Sequence, residues 1–222
     1  ALDVTDEAQA QSIVAEATSR FGRIDVLVNN AGFGMVGSLE ESSAEEVEAQ
    51  FRTNVFGLLA VTRATLPTLR EQGSGHIINL SSVGGMVGFD QFAIYCSTKF
   101  AVEGISESLA LEMEPFGVHV TSVQPGYFRT DFLTGDSLVE AKIRMPEYEK
   151  GLREQFLGHS GKQAGDPNKF AAAMRALVAA ENPPLRLVLG ADALAMIEDK
   201  IKSLQGDIEA WREVTVGTDI VE

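Results

Sequence analysis

Ile24-Asp25-Val26-Leu27-Val28-Asn29-Asn30-Ala31-Gly32 is a short apolar run, rich in branched residues, that stops abruptly in asparagine, alanine and glycine. A run of that length ending in turn formers reads as a buried strand. The flanks on both sides read as helices. Upstream, Ile13, Val14, Ala17 and Phe21 form an apolar stripe between a cap at Thr5 and a stop at Gly22, and Asp6 and Glu7 sit where the helix dipole favours acids. Downstream, Ser42 and Glu45 spell a capping box before a helix that runs to about Leu69, with Pro67 at its fraying end.

The alternation continues along the chain. Gly73-Ser74-Gly75 turns into a strand at His76–Leu80, and the glycines Gly84, Gly85 and Gly88 form a loop before a helix from Phe92 to Glu114. Pro115 and Gly117 break that helix ahead of a strand at Val118–Val123, which ends at Pro125-Gly126. After an irregular stretch from Tyr127 to Lys162, Asp166-Pro167 opens a helix that stops at Asn182-Pro183-Pro184. A strand at Leu185–Leu189 and a helix from Ala191 to about Trp211 complete the pattern. Strands joined by helical crossovers predict an α/β fold, a Rossmann-like doubly wound parallel sheet, in one domain over residues 1–222.

In such a sheet, ligands bind beyond the carboxyl ends of the strands. Asn29–Gly32, Ser81–Gly85 and Gln124–Thr130 should therefore share one rim. The second of these leads into Tyr95-Cys96-Ser97-Thr98-Lys99. Positions four apart on a helix share a face, which sets the Lys99 ammonium beside the Tyr95 phenol. A nearby cation favours phenolate, and a phenol so tuned exchanges a proton with an alcohol or carbonyl oxygen. Ser82, at the mouth of the preceding strand, is placed to donate a hydrogen bond to the same oxygen.

Composition narrows the partners. A net charge of -14 argues against nucleic acid and anionic membrane surfaces, since the summed field repels phosphates. No apolar run reaches the roughly 18–20 residues that span a bilayer, and no leader pattern is present, so a cytoplasmic location is the default expectation. The one cysteine, Cys96, excludes an internal disulfide and reads as a packing residue. His76, His119 and His159 lack metal-ligand spacing, and no metal is expected. The sequon Asn79-Leu80-Ser81 lies in a strand-like run and reads as a chance match.

These residues, in this order, resemble the short-chain dehydrogenase/reductase family from Ala1 to at least Thr130. The matching stations are the Asn29-Asn30-Ala31-Gly32 turn, Asn54 in the following helix, Ser82, Tyr95 with Lys99, Pro125-Gly126 with Thr130, and Asp3. The resemblance implies NADP or NAD as cofactor, inclining to NADP, and hydride transfer between a secondary alcohol and a carbonyl. It makes Tyr95 the acid/base, with Lys99 lowering its pKa and holding the nicotinamide ribose. Ser82 orients the substrate oxygen, and Asn54 anchors a water in a proton relay. Asp3 contacts the adenine, Asn29, Ala31 and Gly32 line the adenosine side, and Pro125, Gly126 and Thr130 hold the nicotinamide amide.

The stretch from about 127 to 162 corresponds to the substrate lid. Its Phe128, Phe132, Leu133, Ile143, Met145, Tyr148 and Phe156 suggest an apolar wall for a small lipophilic alcohol or ketone. The family further implies a homodimer or homotetramer, through the helices Ser43–Leu69 and Phe92–Glu114.

The family pattern begins earlier than Ala1. At roughly 30 residues per βαβ unit, about 50 residues carrying the glycine-rich pyrophosphate turn would precede it. The strand Ile24–Val28 would then lack a neighbour and present an exposed edge. Two readings follow: an excerpt of a complete enzyme, or a cofactor-deficient relative serving as a scaffold or dimerising protein. A nucleotide-binding module fits the fold but leaves Ser82, Tyr95 and Lys99 without purpose. A sugar-nucleotide epimerase or dehydratase shares the Tyr and Lys spacing but not this form of the Asn-Asn-Ala-Gly turn.

Overall fold

The computed structural model describes residues 1–133, 137–149 and 161–220. Its strands are β1 (Val26–Asn29), β2 (Gly34–Val36), β3 (Gly75–Leu80), β4 (Val118–Pro125), β5 (Leu138–Glu140) and β6 (Arg186–Leu189). Its helices are α1 (Glu7–Phe21), α2 (Ala44–Phe51), α3 (Leu58–Gln72), α4 (Ala93–Met113), α5 (Pro167–Ala179), α6 (Ala191–Ala210) and α7 (Arg212–Val216).

Among the described residues, four strands pair in parallel in the order β1-β3-β4-β6. Successive side chains on a strand point to opposite faces, and β3 shows the consequence. Ile77 packs with Leu69, Leu109 and Met113 from α3 and α4, whereas Ile78 packs with Leu177, Phe170 and Met174 from α5. Both isoleucines are fully buried, and each such burial contributes roughly 1.5–3 kcal/mol. The sheet is thus covered on both faces, as a doubly wound α/β fold requires. β1 lies at one edge, where Val28 is about half exposed.

Several boundaries differ from the sequence expectation. Asp6, not Thr5, caps α1: its Oδ1 accepts from the N–H groups of Ala8 and Gln9, while the Thr5 hydroxyl donates to Asp3. The capping box is Ser43 with Glu46, one residue later than expected. The single long helix is instead α2, a π-helical turn over Arg52–Gly57, and α3. Pro67 lies inside α3, which continues to Gln72 and closes on the left-handed Gly73, its last turn held by the fully buried Leu69. Of the histidines, His76 is buried against Thr121 and His119 is exposed, while His159 lies outside the described residues.

β2 and β5 have no counterpart in the sequence expectation, and they pair with each other in parallel. Two buried carboxylates secure this small sheet. Glu41, the last residue of a second capping box begun by Ser38, accepts from the Met145 N–H at 2.9 Å. Glu46 accepts from the Lys142 N–H at 3.0 Å. Residues 142–145 are therefore fastened to the first turn of α2 and to the turn in front of it.

Candidate active site

The carboxyl ends of β1, β3 and β4 open on one cavity of about 290 Å³. Asn30, Gly32 and Phe33 line it after β1, Ser81 to Val83 after β3, and Pro125 to Phe128 with Thr130 after β4. Tyr95 and Lys99 enter from the first turns of α4. Ser82, Tyr95, Lys99, Gly32, Pro125, Gly126 and Thr130 thus meet around a single space.

Tyr95 is buried against Phe92 and the half-buried Phe132. Burial pushes its hydroxyl up to about 12, and a hydrogen bond with Ser82 pulls the other way. The spacing of Tyr95 and Lys99 predicted the opposite shift. The geometry shows why. The Lys99 ammonium lies on the tyrosine's side of the helix, 5.8 Å from the ring centre, but donates its 2.7 Å hydrogen bond to the Leu80 carbonyl. Lys99 is itself buried, which lowers its pKa to about 8 against the opposing pull of Glu103.

Asn54 stands behind the cavity wall. Its amide donates to the Phe33 carbonyl at 2.9 Å and the Thr98 hydroxyl at 3.1 Å, and its Oδ1 accepts from the Phe33 N–H at 3.0 Å. The π turn that carries it is a distortion frequent at functional sites. Gly32 leaves room in front of it: a Cβ there would sit 3.0 Å from Asn54 Oδ1 and 4.0 Å from Lys99 Nζ.

Asn29 takes a different position from its neighbour. Its amide donates to Thr62 and to Asn79, and Asn79 donates in turn to Ser106, so this side chain ties β1 to β3 and α3. Asn30 is the one that faces the main cavity. Asn29 and Ala31 border a smaller cavity of about 80 Å³ whose other walls include Leu2, Val4 and Leu58. Asp3, between Leu2 and Val4, is exposed, and two hydrogen bonds from Thr5 hold its carboxyl below the usual range.

Of the apolar residues expected in the lid, Phe128, Phe132 and Leu133 line the main cavity. Ile143 is half exposed, the Met145 N–H serves the Glu41 tether, and the Tyr148 hydroxyl donates to Glu40. Phe156 lies outside the described residues. Sequence reasoning missed Phe33, Phe89, Phe92, Phe170 and Gln163, which complete the wall. Gln163 is buried with both amide atoms unpaired among the described residues. Its signal is slight, a single glutamine in an irregular stretch.

A buried tyrosine and lysine on one helical face and a serine at a strand end thus share a cavity at the rim of a parallel α/β sheet. The sequence profile of short chain dehydrogenases matches residues 1–138, and the chain belongs to that family. It is 36% identical over 220 residues to oxidoreductase BOA17 of Botryotinia fuckeliana, covering 98% of this chain and 80% of that protein. It is 41% identical over 191 residues to the 3-ketodihydrosphingosine reductase of Bacteroides thetaiotaomicron, covering 85% and 71%. A short-chain dehydrogenase from Streptomyces avermitilis superposes with a TM-score of 0.90 at 40% identity, over 99% of this chain and 80% of that one. A Burkholderia phymatum relative in complex with NAD gives 0.76 at 25% identity, over 91% and 75%. A gluconate 5-dehydrogenase from Burkholderia cenocepacia with NADP and tartrate gives 0.58 at 31%, over 60% and 52%.

Proposed function

We propose that the protein is an NAD(P)-dependent oxidoreductase that interconverts a secondary alcohol and a carbonyl, with Tyr95 as acid/base. The convergence of Ser82, Tyr95 and Lys99 on one apolar cavity carries this reading. A nicotinamide fits the residues present. The buried ammonium of Lys99 offers a donor for a ribose hydroxyl, Gly32 keeps the space before it open, and Pro125, Gly126 and Thr130 form the opposite wall. The small cavity behind Ala31, with Asn29 on its border and Asp3 beside it, suits the adenosine end. The relatives seen with NAD and with NADP support either nucleotide.

A reduced nicotinamide held by Lys99 and the Pro125–Gly126 wall would supply a hydride to a carbonyl carbon. As the oxygen gains negative charge, Tyr95, held as a neutral phenol, gives it a proton, and the carbonyl becomes an alcohol. Ser82 donates to the same oxygen and orients it. Lys99, its ammonium 5.8 Å from the ring centre, then stabilises the phenolate through space. Asn54 positions the Gly32-Phe33 wall and the water through which the proton is restored. The oxidation runs through the same groups in reverse.

Phe89, Phe92, Phe128, Phe132, Leu133 and Phe170 favour a lipophilic ketone or alcohol. The resemblance to a reductase of 3-ketodihydrosphingosine supports a long-chain ketone. The exposed faces of α3 and α4 would pair copies into a dimer or tetramer. No helix among the described residues is long and apolar enough to cross a membrane.

The test is Tyr95→Phe, followed by NADH and NADPH oxidation with a panel of aliphatic and steroidal ketones. Loss of turnover by roughly 100-fold or more, with cofactor binding and melting temperature retained, supports the assignment. Undiminished turnover overturns it.

A further inference from the structure

We infer that Asp192 is a positioning residue for the reaction: its carboxylate holds the turn after β4 in the form that receives a nicotinamide and fixes that turn against Ser82. The inference rests on the reading of Pro125, Gly126 and Thr130 as the nicotinamide wall.

Asp192 is the second residue of α6, where the helix dipole favours an acid, and a purely local role would end there. Its side chain instead reaches across to the rim of the sheet. Oδ2 accepts from the Tyr127 N–H at 2.7 Å, between residues 65 positions apart. The carboxylate fills a space that two glycines leave open, since a Cβ on Gly126 or on Gly190 would collide with it. Gly190 moreover takes a φ of 107°, which is easy for glycine and strained for other residues. The entry to α6 is shaped around this one carboxylate.

Main-chain groups make the neighbouring ties of the same turn. The Gly126 N–H donates to the Leu189 carbonyl at 2.8 Å, the Tyr127 carbonyl accepts from the Gly165 N–H at 3.0 Å, and the Arg129 N–H donates to the Gly165 carbonyl at 2.9 Å. Of these four ties, the one at the Tyr127 N–H depends on the identity of a side chain, and its acceptor is ionised, the stronger kind of hydrogen bond.

The same helix start grips the other side of the cavity. Ala193 and Ile197 are buried and pack with Val83, the residue after Ser82. Asp192 and Ala193, adjacent in sequence, therefore tie the nicotinamide wall and the Ser82 turn to one helix. The alignment of a hydride donor on that wall with a carbonyl held by Ser82 is set by this pair of contacts, and a small misplacement of reacting groups is costly in rate.

The experiment compares Asp192→Ala and Asp192→Asn with the parent in NADH binding by fluorescence titration, ADP-ribose binding by calorimetry, and steady-state kinetics with the ketone the parent reduces fastest. Asp192→Ala should weaken NADH by roughly 10-fold, the scale of a lost hydrogen bond to a charged group. ADP-ribose, which carries no nicotinamide, should bind as in the parent, and kcat should fall more than the ketone KM rises. Asp192→Asn keeps an acceptor for the Tyr127 N–H and should restore most of both losses. Should Asp192→Ala melt too low to assay, Asp192→Ser gives the same reading, because it keeps a polar group at the helix start and is too short to reach Tyr127.

Parental NADH affinity and kcat in Asp192→Ala overturn the inference. So do equal losses for NADH and ADP-ribose, which mark general damage to the fold, and an Asp192→Asn protein as impaired as Asp192→Ala, which assigns the effect to charge at the helix start. A parent that does not bind NADH removes the nicotinamide site itself, and the proposed function then falls together with the inference.

Discussion

Lys99 and Tyr95 face the same cavity one helical turn apart, yet the ammonium bonds the Leu80 carbonyl and acts on the phenol only through space. In this arrangement burial dominates both groups. Tyr95 stays protonated to about 12, and Lys99 is poised to lose its proton near 8. The site therefore holds a neutral phenol beside a buried cation, and the cation is kept at a cost in stability.

That cost has a predictable pH signature. The Lys99 pKa is lowered on folding from 10.5 to about 8, so between those values the unfolded chain binds more protons. Stability contributed by Lys99 should rise with pH across that window, by on the order of 3 kcal/mol. Lys99→Met should lose this rise, melt no lower than the parent at pH 7, and show greatly reduced turnover. Denaturant melts from pH 7 to 10 measure it, and an unchanged slope in the variant would refute the assignment.

Glu103 continues the Tyr95–Lys99 face by one more turn and is buried, accepting from the Ser122 hydroxyl at 2.5 Å. Its charge keeps Lys99 protonated to higher pH. In the reducing direction, kcat/KM should fall as pH rises through about 8, and Glu103→Gln should move that limb to lower pH. Glutamine can keep the bond to Ser122, so the fold should survive. A limb that does not move would leave Glu103 with a purely structural role.

Asn54→Ala should strip the Phe33 N–H of its partner and leave the Phe33 carbonyl with Gln50 as donor. Loss of such buried pairing costs about 1–3 kcal/mol, and the freed Gly32-Phe33 segment should reduce kcat more than it raises KM. Thermal melts and steady-state kinetics on one preparation give both readings. Wild-type kcat in a destabilised Asn54→Ala protein would sever Asn54 from the reaction.

His76 provides an acid-side marker. Burial, helped by His119 at a ring distance of 6.0 Å, lowers its pKa from 6.5 to about 4. Between those values the unfolded chain takes up the extra proton, so its contribution to stability should fall as pH drops from 6.5 toward 4. His76→Gln should flatten the curve there. An identical acid limb in parent and variant would assign the loss to other groups.

How much of this is legible in the sequence follows from what periodicity encodes. β1, β3, β4 and β6 are apolar runs between turn formers, and Tyr95 with Lys99 is a spacing, so all can be read directly. β2 and β5 cannot. Each has three residues, and they pair across about a hundred positions. The asparagines show a finer limit. Asn29 and Asn30 are identical in type and adjacent, and only the pleat sends one toward Asn79 and the other into the cavity. Capping boxes are equally ambiguous, because overlapping serines and glutamates offer several frames and backbone geometry selects Ser38 and Ser43.

The carboxylates of Glu41 and Glu46 grip amide hydrogens, which every residue except proline provides. The exposed side chains of this stretch, Val139, Lys142, Ile143 and Arg144, can therefore be exchanged while the fastening stays whole, whereas Leu138 and Ala141 are buried. The outer surface carried by residues 142–145 is thus free to diverge in sequence while peptide hydrogens keep it moored to the body.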